Sequence, residues 1–211
     1  MLPVDRVKPA IIPLALMVIL LAGCATSPNG ADGFVRPPQA YLPLNIEGLE
    51  AGLAVLYFDQ NFVRCKSSHL DDLPQGDNAK ERGRPGAPIP YLNHQFGRSE
   101  IFDSGTNRLL GMEISGYIRF DRPGTYGFQA NSNDGFRLYI DGHLLIDDPA
   151  WHSDRLSPEA QLPITEPGWY SLRARYYQCK GTAAIHLYWR PPGAEKFSIV
   201  PAKVLAHQQS Y

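Results

Sequence analysis

Apolar and polar residues alternate along most of the chain from about Gly48 onward. The alternation is cleanest in Met112–Phe120, where Ile114 and Ile118 point to one side and Tyr117 points to the other. A period of two residues is that of a β-strand with one buried face, because successive side chains point to opposite sides of a sheet. The strands predicted in this way are Leu53–Phe58, Met112–Phe120, Tyr126–Asn131, the alternating part of Asn131–Gly142, Leu144–Ile146, Gln161–Thr165, Tyr170–Gln178 and Thr182–Arg190.

Turn sequences separate these strands at the spacing of about 8–12 residues that is typical of antiparallel sandwiches and barrels. Asp141-Gly142 predicts a hairpin with a type I′ turn, which needs a positive φ at both central residues. The predicted fold class is therefore an all-β, antiparallel β-sandwich, jelly-roll-like, over residues 48–206, with 207–211 as a tail. We see no apolar stripe of helical period within it, and Cys65–Pro90 is predicted to be a long polar loop.

The first 23 residues have the pattern of a secretory signal peptide. Their apolar run, Ile11–Ala22, is shorter than the roughly 20 residues that span a bilayer. It ends in Leu21-Ala22-Gly23-Cys24, which resembles a bacterial lipobox and predicts cleavage before Cys24 and acylation of that cysteine, palmitate included. The alternative is an ordinary cleaved signal that happens to contain a cysteine. Residues 24–47 are then predicted to be the acylated cysteine followed by a flexible, disordered linker. The resemblance to lipoprotein sorting signals favours the outer membrane as the location of the protein.

Two cysteines remain after Cys24, namely Cys65 and Cys179. An exported protein lies in an oxidising compartment, where two such cysteines commonly pair as one disulfide bond. The sequence leaves open that they are two unpaired, buried thiols, because pairing depends on a geometry that spacing does not give.

Composition narrows the class of function. The chain has 19% charged residues and a formal net charge of −1, so no basic surface favours nucleic acid as a partner. The six histidines are scattered without metal-ligand spacing, and no nucleophile elbow or phosphate loop is present. We therefore predict a protein that is not an enzyme and that requires no cofactor.

Two groups of residues are candidates for ligand binding. Asn133 and Asp134 lie in a polar turn, and Trp151 and Asp154 lie in a nearby loop. Carboxylate and amide oxygens are the ligands that calcium prefers, so calcium at Asn133 and Asp134 is possible. Turn formation is the alternative, since Asn and Asp also stabilise turns without an ion. Trp151 is predicted to be exposed, while the other aromatic residues of the second half are predicted to fill the core: Trp169, Tyr170, Tyr176, Tyr177, Tyr188 and Trp189.

Several of these motifs occur together in one known family. The sequence resembles the protective-antigen-type domain, the fourteen-kilodalton β-sandwich found in bacterial toxins, glycosidases, adhesins and yeast flocculation lectins, here on a bacterial lipoprotein. The resemblance covers about Gly48–Leu205 and rests on these segments: Gly116–Ile118, Pro123–Phe128, Ser132–Gly142, Pro167–Tyr170 and Phe197–Pro201.

The resemblance implies a sandwich that often binds carbohydrate. In the lectin members, two adjacent aspartates joined by a cis peptide hold calcium, and these positions correspond to Asn133 and Asp134. The asparagine of the lectins' second loop would fall near Gln178–Gly181, which contains none. We therefore expect an envelope lipoprotein with a binding module for a glycan or another envelope component. The alternative is a structural or protein-interaction lipoprotein, with an unknown protein partner and no sugar or calcium binding.

Overall fold

The computed structural model describes residues 43–63, 65 and 70–208 of the 211-residue chain. The predicted signal peptide, Cys24 and most of the predicted linker lie outside these residues. The described part is an antiparallel β-sandwich, which confirms the predicted fold class. Its two sheets enclose one apolar core, to which Ile114 and Ile118 contribute from one sheet and Phe128 and Leu187 from the other. Among the described helices, none has the length and apolarity needed to cross a bilayer.

The larger sheet has eight strands. Its main order is β1-β14-β5-β11-β7-β8, with β2 added beside β5 and β3 beside β2. The long pair of β5 and β11 forms its centre, and every pairing in the sheet is antiparallel. Its strands are β1 (Leu49–Ala51), β2 (Ala54–Phe58), β3 (Arg84–Pro85), β5 (Leu110–Phe120), β7 (Phe136–Ile140), β8 (His143–Asp148), β11 (Gly168–Gln178) and β14 (Leu205–Gln208).

The smaller sheet has six strands. Its main order is β10-β6-β12-β13, with β4 beside β12 and β9 beside β6. Its strands are β4 (Asn93–Gly97), β6 (Gly124–Asn133), β9 (Arg155–Leu156), β10 (Ala160–Ile164), β12 (Ala183–Arg190) and β13 (Ser198–Ile199).

The hairpin between β7 and β8 turns at the predicted residues. Asp141 has a φ of 51° and Gly142 a φ of 77°, the two positive values that a type I′ turn requires. The local sequence therefore determines this turn.

The Cys65–Pro90 segment departs from the prediction of a long polar loop. Its described residues include a 3₁₀ helix (Leu70–Asp72), a short α-helix, α1 (Asp77–Arg82), and strand β3. Sequence periodicity misses α1, because six residues with one buried side chain are too short to show a helical stripe. A second apolar cluster lies beneath this segment, and its buried members are Phe58, Val63, Leu70, Leu73, Ala79, Tyr177 and Cys179.

A buried arginine fastens the same segment to the larger sheet. Arg175 is 1% exposed and donates hydrogen bonds of 2.9 Å to the carbonyl oxygens of Leu73 and Pro74. It also donates to the carboxylate of Glu113 at 2.9 Å. Burial raises the pKa of Glu113, and this guanidinium opposes that shift.

The chain reaches the larger sheet at the beginning of its central strand β11. Leu44, inside the predicted linker, pairs with Trp169 at the beginning of β11. Gly168 has a φ of +149°, and a Cβ there would lie 2.2 Å from the Cβ of Pro43. His207 and Gln208, assigned by sequence to the tail, belong to β14 and pair with β1.

Candidate functional site

Three loops meet at one end of the sandwich and form an open pocket of about 410 Å³. Asn133 and Asp134 come from the end of β6, and Lys180–Thr182 from the turn before β12. Trp151–Ser153, between β8 and β9, completes the wall. Residues far apart in sequence thus share one site because antiparallel strands end together.

Asp134 lines this pocket and is 1% exposed. The peptide bond between Asn133 and Asp134 is cis. One carboxylate oxygen, Oδ2, accepts a hydrogen bond of 2.6 Å from the Cys179 backbone, and Oδ1 accepts one of 3.2 Å from the His152 backbone. Burial raises the pKa of Asp134 to about 6, although both N–H donors oppose the shift. The carboxylate is therefore fixed in position and binds protons more tightly than an exposed aspartate.

Asn133 links the other two loops. Its side-chain nitrogen donates to Oδ1 of Asp154 at 2.7 Å and to Oγ1 of Thr182 at 3.2 Å. Its backbone carbonyl accepts a hydrogen bond from the buried hydroxyl of Tyr176. Asn133 thus holds the Asp154 carboxylate against the turn before β12.

Hydrogen bonds continue from the pocket onto the smaller sheet. Oδ2 of Asp154 accepts a bond of 3.0 Å from the side chain of Gln95. The side-chain oxygen of Gln95, Oε1, in turn lies 3.3 Å from Nε2 of His186. A chain of polar contacts therefore connects the pocket to strands β4 and β12.

Trp151 is 47% exposed, as its loop position predicts. Beside it, Nε2 of His152 lies 3.2 Å from Oδ2 of Asp148, and Arg155 pairs with the same carboxylate. Asp148 therefore anchors the loop that carries Trp151, in addition to ending β8.

Two aromatic residues contradict the predicted core placement. Trp169 and Tyr188 are only partly buried, on the outer faces of the larger and smaller sheet respectively. Their neighbours Tyr170 and Trp189 occupy the core instead, since adjacent strand residues point to opposite faces. The alternation was visible, but aromatic character alone does not identify which face is buried.

The four predicted ligand residues lie together: Asn133, Asp134 and Trp151 line the pocket, and Asp154 contacts Asn133. Sequence analysis missed Thr182, Gln95 and His152. No local motif marks these three residues, because they reach the site through strand pairing and loop folding.

The donor set suits a hard cation such as calcium. The Asp134 carboxylate lines the pocket, and the Asp154 carboxylate and the Thr182 hydroxyl both accept hydrogen bonds from the Asn133 side-chain nitrogen, so oxygen atoms of the kind that calcium prefers are present. The described residues contain no group of three or more His, Cys, Asp or Glu side chains that could hold a metal. A cation here would therefore depend on Asn133 and Thr182 as well as on the two carboxylates.

Comparison with known proteins places this architecture in a family. A profile described as the PA14 domain matches residues 90–203, more than half of the chain. The chain belongs to the PA14 domain family.

This match corrects the sequence-based assignment to a protective-antigen-type family. The family that matches is the PA14 domain, and the similar proteins reported below include anti-sigma factors. The motifs behind that assignment specify turns and strands, so they indicate a fold and do not identify the protein that carries it.

One curated relative is the anti-sigma-I factor RsgI3 of Acetivibrio thermocellus, 34% identical over 82 residues, which cover 38% of this chain and 12% of the relative. A solved structure of an anti-sigma factor domain-containing protein matches with a TM-score of 0.61 and 21% identity over 77% of this chain. The chain spans 50% of that protein. This chain thus spans only part of the length of each of these two relatives.

An adhesin has the same fold. The A domain of the subtype-switched epithelial adhesin 9 from Candida glabrata, solved in complex with β-lactose, matches with a TM-score of 0.59 and 12% identity. The match covers 82% of this chain and 95% of that domain. At this identity the likeness shows a shared fold.

Proposed function

We propose that this protein is a non-enzymatic carbohydrate-binding protein of the bacterial cell envelope, with its glycan site in the pocket at Asn133 and Asp134. The observation that carries the proposal is the position of an exposed tryptophan, Trp151, beside a fixed, buried carboxylate, Asp134, in one open pocket. An aromatic face stacks on sugar rings, while a carboxylate and amides bind sugar hydroxyls. The adhesin domain that was solved with β-lactose supports the same class of ligand.

Calcium is the second part of the proposal. In the presence of calcium, Asn133, Asp134 and Asp154 would hold the ion, and the ion would supply a charge that orients sugar hydroxyls. The protein's own residues position the sugar: Trp151 provides the stacking surface and the Lys180–Thr182 turn forms the opposite wall.

The architecture supports a tethered module. The chain reaches the sandwich at Leu44, beside Trp169 at the beginning of β11. The pocket lies beyond the other end of β11, next to Cys179. Eleven strand residues separate the two ends, about 35 Å. A glycan site at that distance from the linker would be accessible to a ligand outside the membrane surface.

A glycan array tests the binding proposal, with the soluble domain from about Asp32 and with either calcium or a chelator present. We expect binding that Trp151→Ala weakens by about tenfold without loss of thermal stability, because its exposed ring makes stacking contacts only with the ligand. Leu144→Ala is the matched control, since Leu144 is also exposed, at 38%, and lies on β8 outside the pocket. An array without hits in both conditions would contradict the proposal and favour protein interaction.

Lipid anchoring needs a separate test. We propose that Cys24 is acylated and holds the protein in the outer membrane. Labelling of cells with a palmitate analogue should then mark the protein, and Cys24→Ala should remove the label and release the protein into the soluble fraction. A label that persists in Cys24→Ala would contradict this anchor.

A further inference from the structure

The outer surface of the smaller sheet carries a patch of amide and aromatic side chains next to the pocket. We call it the amide face. Its members project outward from three neighbouring strands: Asn93 and Gln95 from β4, His186 and Tyr188 from β12, and Gln129 and Asn131 from β6.

Strand register aligns these residues into cross-strand pairs. His186 lies opposite Asn131 on one side and Asn93 on the other, and Tyr188 lies opposite Gln129. Ala184 lies opposite Asn133, so the same ladder leads directly to the pocket. Four residues separate Gln129 from Asn133 along β6, a distance of about 14 Å. The face is therefore an extension of the pocket with the length of a short oligosaccharide.

Two side-chain oxygen atoms flank the imidazole of His186, and the ring of Tyr188 lies beside it. Nδ1 of His186 lies 2.9 Å from Oδ1 of Asn93, and its Nε2 lies 3.3 Å from Oε1 of Gln95. The ring of Tyr188 is nearly parallel to the imidazole, at 15°, with centroids 6.1 Å apart. Side chains fixed before binding lose little conformational entropy when a ligand arrives. The pair is thus a preformed aromatic surface.

Two amide side chains of the amide face have hydrogen-bonding atoms that a ligand can use. The half-buried side chain of Asn131 has no hydrogen-bond partner among the described residues, although it lies between His186 and Leu156. The side-chain nitrogen of Gln129 donates a hydrogen bond of 3.1 Å to the carbonyl oxygen of Ser157, and its side-chain oxygen remains available to a ligand. Amides both donate and accept, as sugar hydroxyls do.

Charge identifies the class of ligand. The six members of the amide face include no lysine, arginine, aspartate or glutamate. Charges lie at its two ends: Asp154 at the pocket, and the ion pair of Arg190 with Glu159 at the opposite end. An uncharged surface of amides and rings fits an uncharged polyhydroxylated chain better than a nucleic acid or an acidic peptide.

We infer that the amide face binds the continuation of a glycan whose first unit occupies the pocket, so that the ligand is an uncharged oligosaccharide. This inference rests on the proposed function of the pocket. It adds the size and chemical class of the ligand and assigns His186, Tyr188 and Asn131 as binding residues.

Titration calorimetry tests it with neutral β-1,4-linked gluco- and galacto-oligosaccharides of increasing length, from one to six units. We expect affinity to rise with each unit until the face is filled. We expect each of the variants His186→Ala and Tyr188→Ala to bind long oligosaccharides about tenfold more weakly. The affinity for the single sugar should be unchanged. Tyr117→Ala is the matched control, a partly buried tyrosine on the larger sheet that should change neither affinity.

The outcomes separate the two proposals. Equal affinity for one unit and for six overturns the amide face and leaves the pocket as the site. A gain with length that survives both His186→Ala and Tyr188→Ala also overturns it. If His186→Ala lowers the affinity for long oligosaccharides and Trp151→Ala does not, the result supports the amide face and contradicts the pocket. If no member of either series binds, both proposals fail.

Discussion

The backbone N–H of Cys179 donates a hydrogen bond of 2.6 Å to Oδ2 of Asp134. Cys179 also forms the disulfide bond with Cys65, so the predicted pairing is present and one residue serves both contacts. The disulfide therefore positions the backbone donor that holds the pocket carboxylate.

Replacement of Cys65 by serine, with Cys179→Ser as a paired change, should lower both stability and affinity. The link closes a loop between residues 114 apart, and loss of such a link costs about 2–5 kcal/mol. Urea unfolding measures the first effect, and glycan titration under conditions where the variant is folded measures the second. Unchanged affinity in a folded, disulfide-free variant would show that Cys179 is positioned without the disulfide.

The pH dependence of stability should reveal Asp134. Its pKa of about 6 in the folded protein exceeds the value near 3.9 of an unfolded aspartate, so the folded state binds the proton more tightly between these values. The free energy of unfolding contributed by this group is therefore greatest below about pH 4 and falls by about 1–3 kcal/mol as pH rises to 6 and above.

Urea unfolding at a series of pH values, in the presence of a chelator, measures this slope in the unmodified protein and in Asp134→Asn. The difference in the free energy of unfolding between the unmodified protein and Asp134→Asn should change only between about pH 4 and 7. Asp154→Asn serves as the control, because Asp154 lies in the same cluster but in an exposed loop. Parallel curves for the unmodified protein and Asp134→Asn would contradict the raised pKa.

Arg175→Met should destabilise the domain by about 3–5 kcal/mol at neutral pH, because the buried carboxylate of Glu113 loses its main partner. The Leu73 and Pro74 carbonyls also lose their donor. Adding Glu113→Gln should recover part of the loss, since it removes the uncompensated charge. Chemical denaturation of the two single variants and the double variant provides the coupling energy, and simple additivity would contradict a shared cluster.

Gly168→Ala should lower the melting temperature, because the added Cβ would overlap Pro43 and the left-handed φ disfavours a side chain. Gly193→Ala is a matched control, with a φ of +78° and no atom within 4 Å of the added Cβ. Thermal unfolding should show the larger decrease for Gly168→Ala. Equal decreases would mean that the contact with Pro43 contributes nothing.

Much of the sandwich was predictable from alternation. Long strands such as β5, β6 and β11 carry enough consecutive residues for a period of two to be visible, and the Asp141-Gly142 turn has one dominant conformation. Strands of two or three residues, including β3 and β13, contain too few positions to show any period. They form because a neighbouring strand offers free backbone groups.

The site was only partly predictable for a related reason. Asn133 and Asp134 are marked by their own turn sequence, and Trp151 by its place in a polar loop. Gln95 and His186 become relevant only once β4 pairs with β12, a relation between residues that are distant along the chain. The outward orientation of Tyr188 likewise depends on which face of β12 meets the other sheet.

The pairing of β1 with β14 has a consequence for how this domain can be combined with others. Leu49 lies opposite Gln208, so the first and last strands of the sandwich are neighbours, about 5 Å apart. The two strands of a surface hairpin in a host protein lie at the same spacing, so the sandwich can be inserted between them. Residues 49–208 therefore form a unit with adjacent ends, which can be inserted between neighbouring strands of another scaffold without long connecting segments.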